Sequence, residues 1–292
     1  MDFSVVIATK DRREFLRRTL ESLERQIEAP PFEVIVVDNG SADDTRSVVE
    51  AHAERVPAVR YVAEPRPNRG RARNRGVKRA AGRYVLFCDD DVSLPPGWLA
   101  AHAVAQTGDD CVVNGPILNV PSYAATPAPT FANYSRAFLC TCNASLSKEA
   151  FFRAGGFDES FDLYGWEDTE LGVRLREAGC HWKFAWDAFL WHVKPPAENT
   201  LEIESRKAIE KARMAGRFLG KHPSRRARLA TGAHTLNLLR ARYLLPDTLL
   251  AFYAGLSTSD APEWLRRLSR GQLLDALYAR ELVRALDDGD GR

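Results

Sequence analysis

"YVLFCDDDVSLPP", residues 84–96, sets a short apolar run directly against three adjacent carboxylates, Asp89, Asp90 and Asp91. A brief stretch rich in aromatic and β-branched residues reads as a buried strand. Three like charges at its end repel one another, and nothing in Tyr84–Cys88 offers to neutralise them. The pattern implies a counter-charge from outside the chain, at the place where a strand delivers its last residues.

Working outward, "FSVVIAT" (3–9) is a second such strand, followed by Phe15, Leu16, Leu20, Leu23 and Ile27 at helical spacing. "FEVIVVD" (32–38) repeats the plan: a strand, the turn "NGSADDT" with Ser41 and Asp44 at capping-box spacing, then a helix to about residue 54. "AVRYVAE" (58–64) adds a strand, and a basic helix near 70–81 leads into Tyr84. Strands alternating with helices predict an α/β fold with a mainly parallel sheet. Ligands of such sheets bind at the carboxyl ends of the strands, and Thr9, Asp38 and Asp89 all stand there. Taken singly, Asp38 or Asp89 could merely cap a turn.

Past a helix near 97–107 and a strand "CVVNG" (111–115), residues 116–140 hold four prolines and no period. They read as one long loop that orders over bound ligand. "TCNASLS" (141–147) resumes as strand, "EDTELGVRLREAG" (167–179) as a helix with Asp168 near its N-cap, and "HWKFAWDAFLWH" (181–192) as one or two aromatic strands closing at His192. Beyond Ala197 helix follows helix, near 199–219, 225–244, 246–256 and 262–286. The expected division is therefore a catalytic domain over 1–197, with halves at 1–115 and 116–197, and a helical extension over 198–292.

The composition excludes several classes. With 292 residues, 45% hydrophobic, the chain can bury a core, and disorder is not expected. A net charge of +2 suits no nucleic-acid binder. No apolar run approaches the length of a membrane span, and "MDFSVVIATKDRR" has no basic leader or cleavage site, so a soluble cytoplasmic protein is expected. Five cysteines, of which only Cys140 and Cys142 are close in sequence, read as free thiols in a reducing compartment; one C-x-C pair is a poor zinc signal. Between Arg206 and Arg242 stand eleven Lys or Arg and one acid, Glu210. That basic stretch suits contact with anionic lipid, a second subunit in a homodimer, or a solvated cap on the core.

Two carboxylates one residue apart at a strand end suit a hard divalent cation, Mn2+ or Mg2+, that keeps room for phosphate. Asp89 and Asp91 fit that role. "VLFCDDDV" also matches the pattern of a haloacid dehalogenase-like phosphohydrolase with Asp89 as nucleophile, but such enzymes carry that strand near the chain's start and need later catalytic partners that this sequence does not offer in order. Residues 66–83 contain eight Lys or Arg and no acid, mostly a solvated face, with Arg73 the candidate to reach a diphosphate.

The order of motifs resembles the family 2 glycosyltransferases of the GT-A fold over residues 3–192. "SVVIATKDR" is similar to their opening strand and turn, and "VIVVDNGSADDT" to their second strand. "NRGRARNRGVKRAAGRYVLFCDDD" resembles the segment leading into their D-x-D strand, and "CNASLSKEAFFRAGGFDESF" and "GWEDTELGVRLREAG" the acceptor-side motifs. The resemblance implies an inverting enzyme moving a sugar from a nucleotide-diphosphate donor, UDP-sugar favoured over dTDP-sugar, to a carbohydrate, lipid-linked or small-molecule acceptor. It implies donor contacts at Ala8, Thr9, Arg12, Asp38, Arg73, Asn74, Asp89 and Asp90, metal ligation by Asp91, Asp89 and His192, and acceptor contacts at Trp166 and Asn143. Asp168 becomes the general base, with Glu167 beside it. Asp38 can accept from the imide N–H of uracil or thymine. The bland readings are a packed His192 between tryptophans, an Asp168 that only caps its helix, and a non-catalytic glycan- or nucleotide-binding protein on the same fold.

Overall fold

The computed structural model describes residues 1–55, 58–195 and 200–289. It divides into two compact units, one of Met1–Asp162 with Glu167–Pro195 and one of Leu163–Trp166 with Pro196–Arg292. The boundary expected after residue 197 lies outside the described residues.

In the first unit, β1 (Phe3–Thr9), α1 (Arg13–Glu24), β2 (Phe32–Asp38), α2 (Thr45–Arg55), β3 (Val59–Ala63), α3 (Arg69–Arg79) and β4 (Tyr84–Cys88) follow in the predicted alternation. After them come β5 (Val92–Ser93), α4 (Trp98–Ala105), β6 (Cys111–Asn114), β7 (Ile117–Val120), β8 (Asn143–Ser147), α5 (Lys148–Arg153), α6 (Glu167–Glu177), β9 (His181–Phe184) and β10 (Leu190–Val193). Seven strands form one sheet in the order β3-β2-β1-β4-β8-β6-β9, parallel across β3, β2, β1 and β4 and antiparallel where β8 joins β4 and β6. A second sheet, β5-β10-β7, lies at the strand-end edge and carries His192. This is a GT-A α/β fold, a mixed sheet flanked by helices.

Side chains alternate across each strand, so the two faces bury different partners. Val6, Val37, Val85 and Phe87 pack against Ala72 and Val77 of α3, Phe151 of α5 and Leu171 and Leu175 of α6. Val5, Ile7, Val36 and Leu86 pack against Leu16, Leu20 and Leu23 of α1, Val49 of α2, and Trp98 and Leu99 of α4. Helix α3 lies close on β1 because Gly76 has no side chain: a Cβ there would stand 2.4 Å from Val6 Cγ1.

Two local expectations are corrected. Helix α2 begins at Thr45, beyond both Ser41 and Asp44, so those two form no capping box; Asp43 Oδ1 instead accepts the Thr45 N–H at 3.2 Å. Residues 116–140 are not one structureless loop, since β7 pairs in parallel with β10 and a 3-10 turn spans Phe131–Asn133. Four prolines masked this short strand, whose partner is some 70 residues away.

The second unit contains α7 (Leu201–Lys221), α8 (Arg225–Thr231), α9 (Thr235–Tyr243), α10 (Asp247–Thr258) and α11 (Glu263–Gly289). Helices α9, α10 and α11 share a core of Ala241, Leu245, Leu250, Leu273, Ala276 and Ala279. The predicted helix over 225–244 is two helices, because Gly232 adopts the left-handed conformation at φ 75° and ends α8. Among the described residues no helix is long and apolar enough to cross a membrane.

Candidate active site

The parallel pairing of β1 with β2 sets Thr9 beside Asp38 at the sheet's carboxyl edge. The turns that follow are latched to each other. Ala42 N–H donates to Asp11 Oδ1 at 2.6 Å, Asp11 N–H to Ser41 Oγ at 3.0 Å and Arg13 N–H to Asp43 Oδ2 at 3.0 Å. Asp38 is buried, accepting from Ser41 N–H at 2.8 Å and Tyr61 Oη at 2.7 Å. An ionised carboxylate has about four acceptor positions, so these two bonds fix the group and leave capacity for a ligand N–H. Ala8 pairs with Val37 on the strand before this edge.

Each member of the acidic triplet has its own company. Asp89 is half-buried, with Arg73 Nη2 3.3 Å from its Oδ1. Asp90 points inward, where Thr9 Oγ1 donates to its Oδ2 at 2.6 Å and Arg12 Nη1 lies 3.8 Å from Oδ1. Burial pushes Asp90 up to about 7, Asp91 and Asp89 adding to the push against the opposing Arg12 and Thr9. Asp91 faces Arg12 Nη2 at 3.0 Å and His192 Nε2 at 3.0 Å. Burial works against its charge too, yet the His192 hydrogen bond and the His192 and Arg12 charges outweigh it and hold Asp91 below the ordinary carboxylate range. The backbone of the triplet is pinned to α1 through Thr19, whose Oγ1 lies 2.8 Å from both Asp90 O and Val92 O. His192 arrives because it pairs with Val92 across β10 and β5, with Val193 N–H donating to Asp91 O at 2.8 Å.

These residues fit a cation. Asp91 Oδ1 is sealed from solvent, and the partner it faces is the His192 ring, itself a metal-ligand type. Ligand atoms of Asp89, Cys142 and His192 all lie within 4.8 Å of one another.

Across the crevice, α6 presents Glu167 and Asp168 in its first turn. Asp168 does not cap its own helix. Its carboxylate accepts from Thr141 N–H and Thr141 Oγ1, each at 2.8 Å, which hold it at the start of the β8 segment. Arg73 Nη1 stands 3.4 Å from Glu167 Oε1 and 3.8 Å from Asp168 Oδ1. One buried guanidinium thus joins Asp89 at the end of β4 to both acids of α6. Burial raises Asp168 above the usual carboxylate range, opposed by Arg73, assisted by the Glu167 charge and opposed again by the Thr141 hydrogen bonds.

Two sequence-expected contacts, Asn143 and Asn74, have their amides spent on structure. Asn143 is fully buried; its Nδ2 donates to Pro116 O and Ala188 O, and its Oδ1 meets Trp98 Nε1 and His102 Nε2. It stitches β8 to its neighbours and cannot touch an acceptor. Asn74 spends its amide on Phe157 N–H, Phe157 O and Glu159, so it shapes the 157–159 loop instead of meeting the donor. Trp166 stacks on Phe218 with ring centroids 5.0 Å apart, at a left-handed φ of 73°. Sequence reasoning missed Thr141, Thr19, Asp11 and Asp43, ordinary polar residues whose roles exist only through long-range contacts.

Beside Cys140 a cleft of about 430 Å³ is lined by Asn114, Asn119, Asn133, Tyr134 and Ser135 among others, with no charged side chain. Next to it Tyr134 stacks on Trp186, and Phe131 meets Trp186 edge-on.

Residues 4–151 match the family described as Glycosyl transferase family 2. The chain belongs to that family. Residues 123–194 also match the N-terminal domain of galactosyltransferase. Within family 2, the chain is 30% identical over 263 residues to a validoxylamine A glucosyltransferase of Streptomyces hygroscopicus subsp. limoneus, covering 76% of this chain and 57% of that protein. It is 26% identical to chondroitin synthase of Escherichia coli, covering 67% of this chain and 35% of the synthase. The chain therefore spans little more than half of the first relative and about a third of the second. Among solved structures, the mannosyltransferase PcManGT from Pyrobaculum calidifontis, in complex with GDP-Man and Mn2+, superposes with a TM-score of 0.66 at 19% identity, covering 98% of this chain and 87% of that one. S. aureus TarS 1–349 in complex with UDP-GlcNAc gives 0.59 at 18% identity, covering 100% and 92%. Both likenesses speak for the fold. The family 2 match removes the phosphohydrolase reading of Asp89.

Proposed function

We propose that this family 2 chain is an inverting glycosyltransferase that moves a sugar from a nucleotide-diphosphate donor, a UDP-sugar in the first instance and a dTDP-sugar in the second, to an acceptor hydroxyl. The observation that carries the reading is Asp168: a buried carboxylate aimed by Thr141, held beside Arg73 and raised towards the range in which a general base works. Asp168 takes the proton of the acceptor hydroxyl as its oxygen bonds to the anomeric carbon and the bond from that carbon to the diphosphate oxygen breaks on the opposite face. Arg73 keeps Asp168 available in its ionised form and ties it to Asp89, on the donor side. Asp38, fixed by Tyr61 and Ser41, receives the imide N–H of the base. Asp89, Asp91 and His192 would hold Mn2+ or Mg2+, which when bound offsets charge on the departing diphosphate. The uncharged, amide-lined cleft with aromatic rings beside it suits a neutral polyhydroxylated acceptor.

Thermal melts of the wild type and Asp91→Ala with UDP, with Mn2+ and with both test the donor half. A ligand at about 100 times its dissociation constant adds about 2.7 kcal/mol. Synergy in the wild type that Asp91→Ala loses is expected; no shift with UDP, dTDP or GDP in the presence of metal overturns the reading. Nucleotide binding without any cleavage of sugar donors, even to water, would instead make the chain a binding protein. A product that keeps the donor's anomeric configuration by NMR would remove the inverting mechanism.

A further inference from the structure

The pair Cys140 and Cys142 offers a poor zinc signal in sequence because no second cysteine pair accompanies it. The fold supplies different company. Strand β4 pairs antiparallel with β8, Cys88 opposite Asn143, so the residue after β4 and the residue before β8 meet at the strand ends. These are Asp89 and Cys142. Strand β10 brings His192 to the same place, and one ligand atom from each of the three lies within 4.8 Å of the others.

The surrounding charges separate this trio from the rest of the triplet. Asp90 is bound to Thr9, and Asp91 is faced by Arg12 on one oxygen and by His192 on the other. A carboxylate that grips a histidine ring is the usual support of a metal-binding imidazole, fixing its orientation and tautomer. Cys142 is 8% exposed, and its Sγ lies within 4.8 Å of a ligand atom of both Asp89 and His192. We infer that Asp89, Cys142 and His192 form a three-ligand face for a thiophilic divalent ion, zinc or cobalt, with Asp91 orienting His192 and a fourth position open.

The chemistry of the donor set supports that choice. One thiolate, one imidazole and one carboxylate around an open position are the ligand types of four-coordinate zinc, whereas magnesium and manganese prefer oxygen donors. Binding replaces the Cys142 thiol proton by the metal, and the proton leaves to solvent. The inference shares Asp89 and His192 with the cation reading above and adds the thiol. It predicts that zinc competes with manganese for this site in place of binding beside it.

The test is a titration of the metal-free protein with Co2+, followed by absorbance. Wild type is expected to show a near-ultraviolet sulfur-to-cobalt charge-transfer band together with strong visible ligand-field bands, and Zn2+ to bleach both. Cys142→Ser should lose the charge-transfer band and weaken Zn2+ binding by at least about tenfold, with Mn2+ binding, read by its own paramagnetic resonance, much less affected. Cys140→Ser is the control and should keep the band. Thermal melts of the metal-free variants show that each is folded. Cobalt binding without a sulfur band, or a band that survives in Cys142→Ser, overturns the role of Cys142 while leaving the Asp89–Asp91–His192 cation site standing. No binding of Co2+, Zn2+ or Mn2+ overturns both.

Discussion

Asp168 does its proposed work through two neighbours whose effects oppose burial. Replacing it with Asn keeps the shape and the Thr141 contacts but removes the base, so turnover should fall by about 10²–10⁴-fold while the UDP-dependent shift in melting temperature persists. Because the folded environment raises its pKa, the form competent to take a proton is lost as pH falls, and activity should decline at a higher pH than for an ordinary aspartate. Thr141 tunes that limb. Thr141→Val deletes a hydroxyl donor to the charged form while the Thr141 N–H bond stays, so the acidic limb of the kcat profile should move up by on the order of one pH unit, with the alkaline plateau little changed. A uniform loss of activity at every pH would show that Thr141 only shapes the backbone. The acids themselves were readable from their positions after strands and at a helix start. Arg73 was readable as a cation near the donor, but its link to Asp168 was not, because residues 73 and 168 meet only once α3 and α6 pack on the same face of the sheet.

At the scale of elements, α3 carries Arg73 and Asn74, and its distance from β1 is set by Gly76. A methyl there meets Val6 Cγ1 at 2.4 Å and Val37 Cγ2 at 3.1 Å, β-branched side chains with little room to turn. Alanine would gain about 0.8–1 kcal/mol in helix propensity, but overpacking of a tight interface costs about 1–3 kcal/mol, so Gly76→Ala should be destabilising on balance. It should also weaken nucleotide binding, since α3 must lift and Arg73 moves with it; a variant as stable as the wild type would mean the helix shifts freely. The alternation of strand and helix up to β4 was legible because β1, β2 and β4 are buried apolar runs and α1 carries an apolar stripe of Leu16, Leu20 and Leu23. The second half was less so. Strand β7 has four residues, alternates with a solvent-facing Asn119 and takes its partner from β10, so no local pattern marks it. Asn143 was misplaced for a related reason. The resemblance of its segment to acceptor-side motifs implied a contact, and only its burial and its bonds to Trp98 and His102 show that its amide is structural.

For the molecule as a whole, the buried ionisable groups set opposing dependences of stability on pH. His102 is fully buried on α4 and its pKa is pushed down to about 4 by burial, the Asn143 hydrogen bond opposing. The unfolded chain, with an ordinary histidine near 6.5, binds a proton that the folded chain refuses, so stability from this group is whole above 6.5 and is lost as pH falls towards 4. Asp90 runs the other way. Its folded pKa of about 7 lies above the ordinary value of 3.8, so the folded metal-free chain holds a proton that the unfolded one releases, and stability from this group is lost as pH rises through 7. Between pH 4 and 6.5 the two nearly cancel. Removing either should expose the other: His102→Gln, whose amide can still meet Asn143, should grow more stable on acidification relative to its own value at pH 7, while Asp90→Asn should lose stability, each by up to about 3 kcal/mol over the window. Denaturant midpoints of the metal-free protein at pH 4.5, 5.5 and 6.5, chosen within that window, read the slopes directly. Slopes that match the wild type in both variants would mean that these groups are hydrated in solution and that the packing around β4 and α4 is looser than the structure has it.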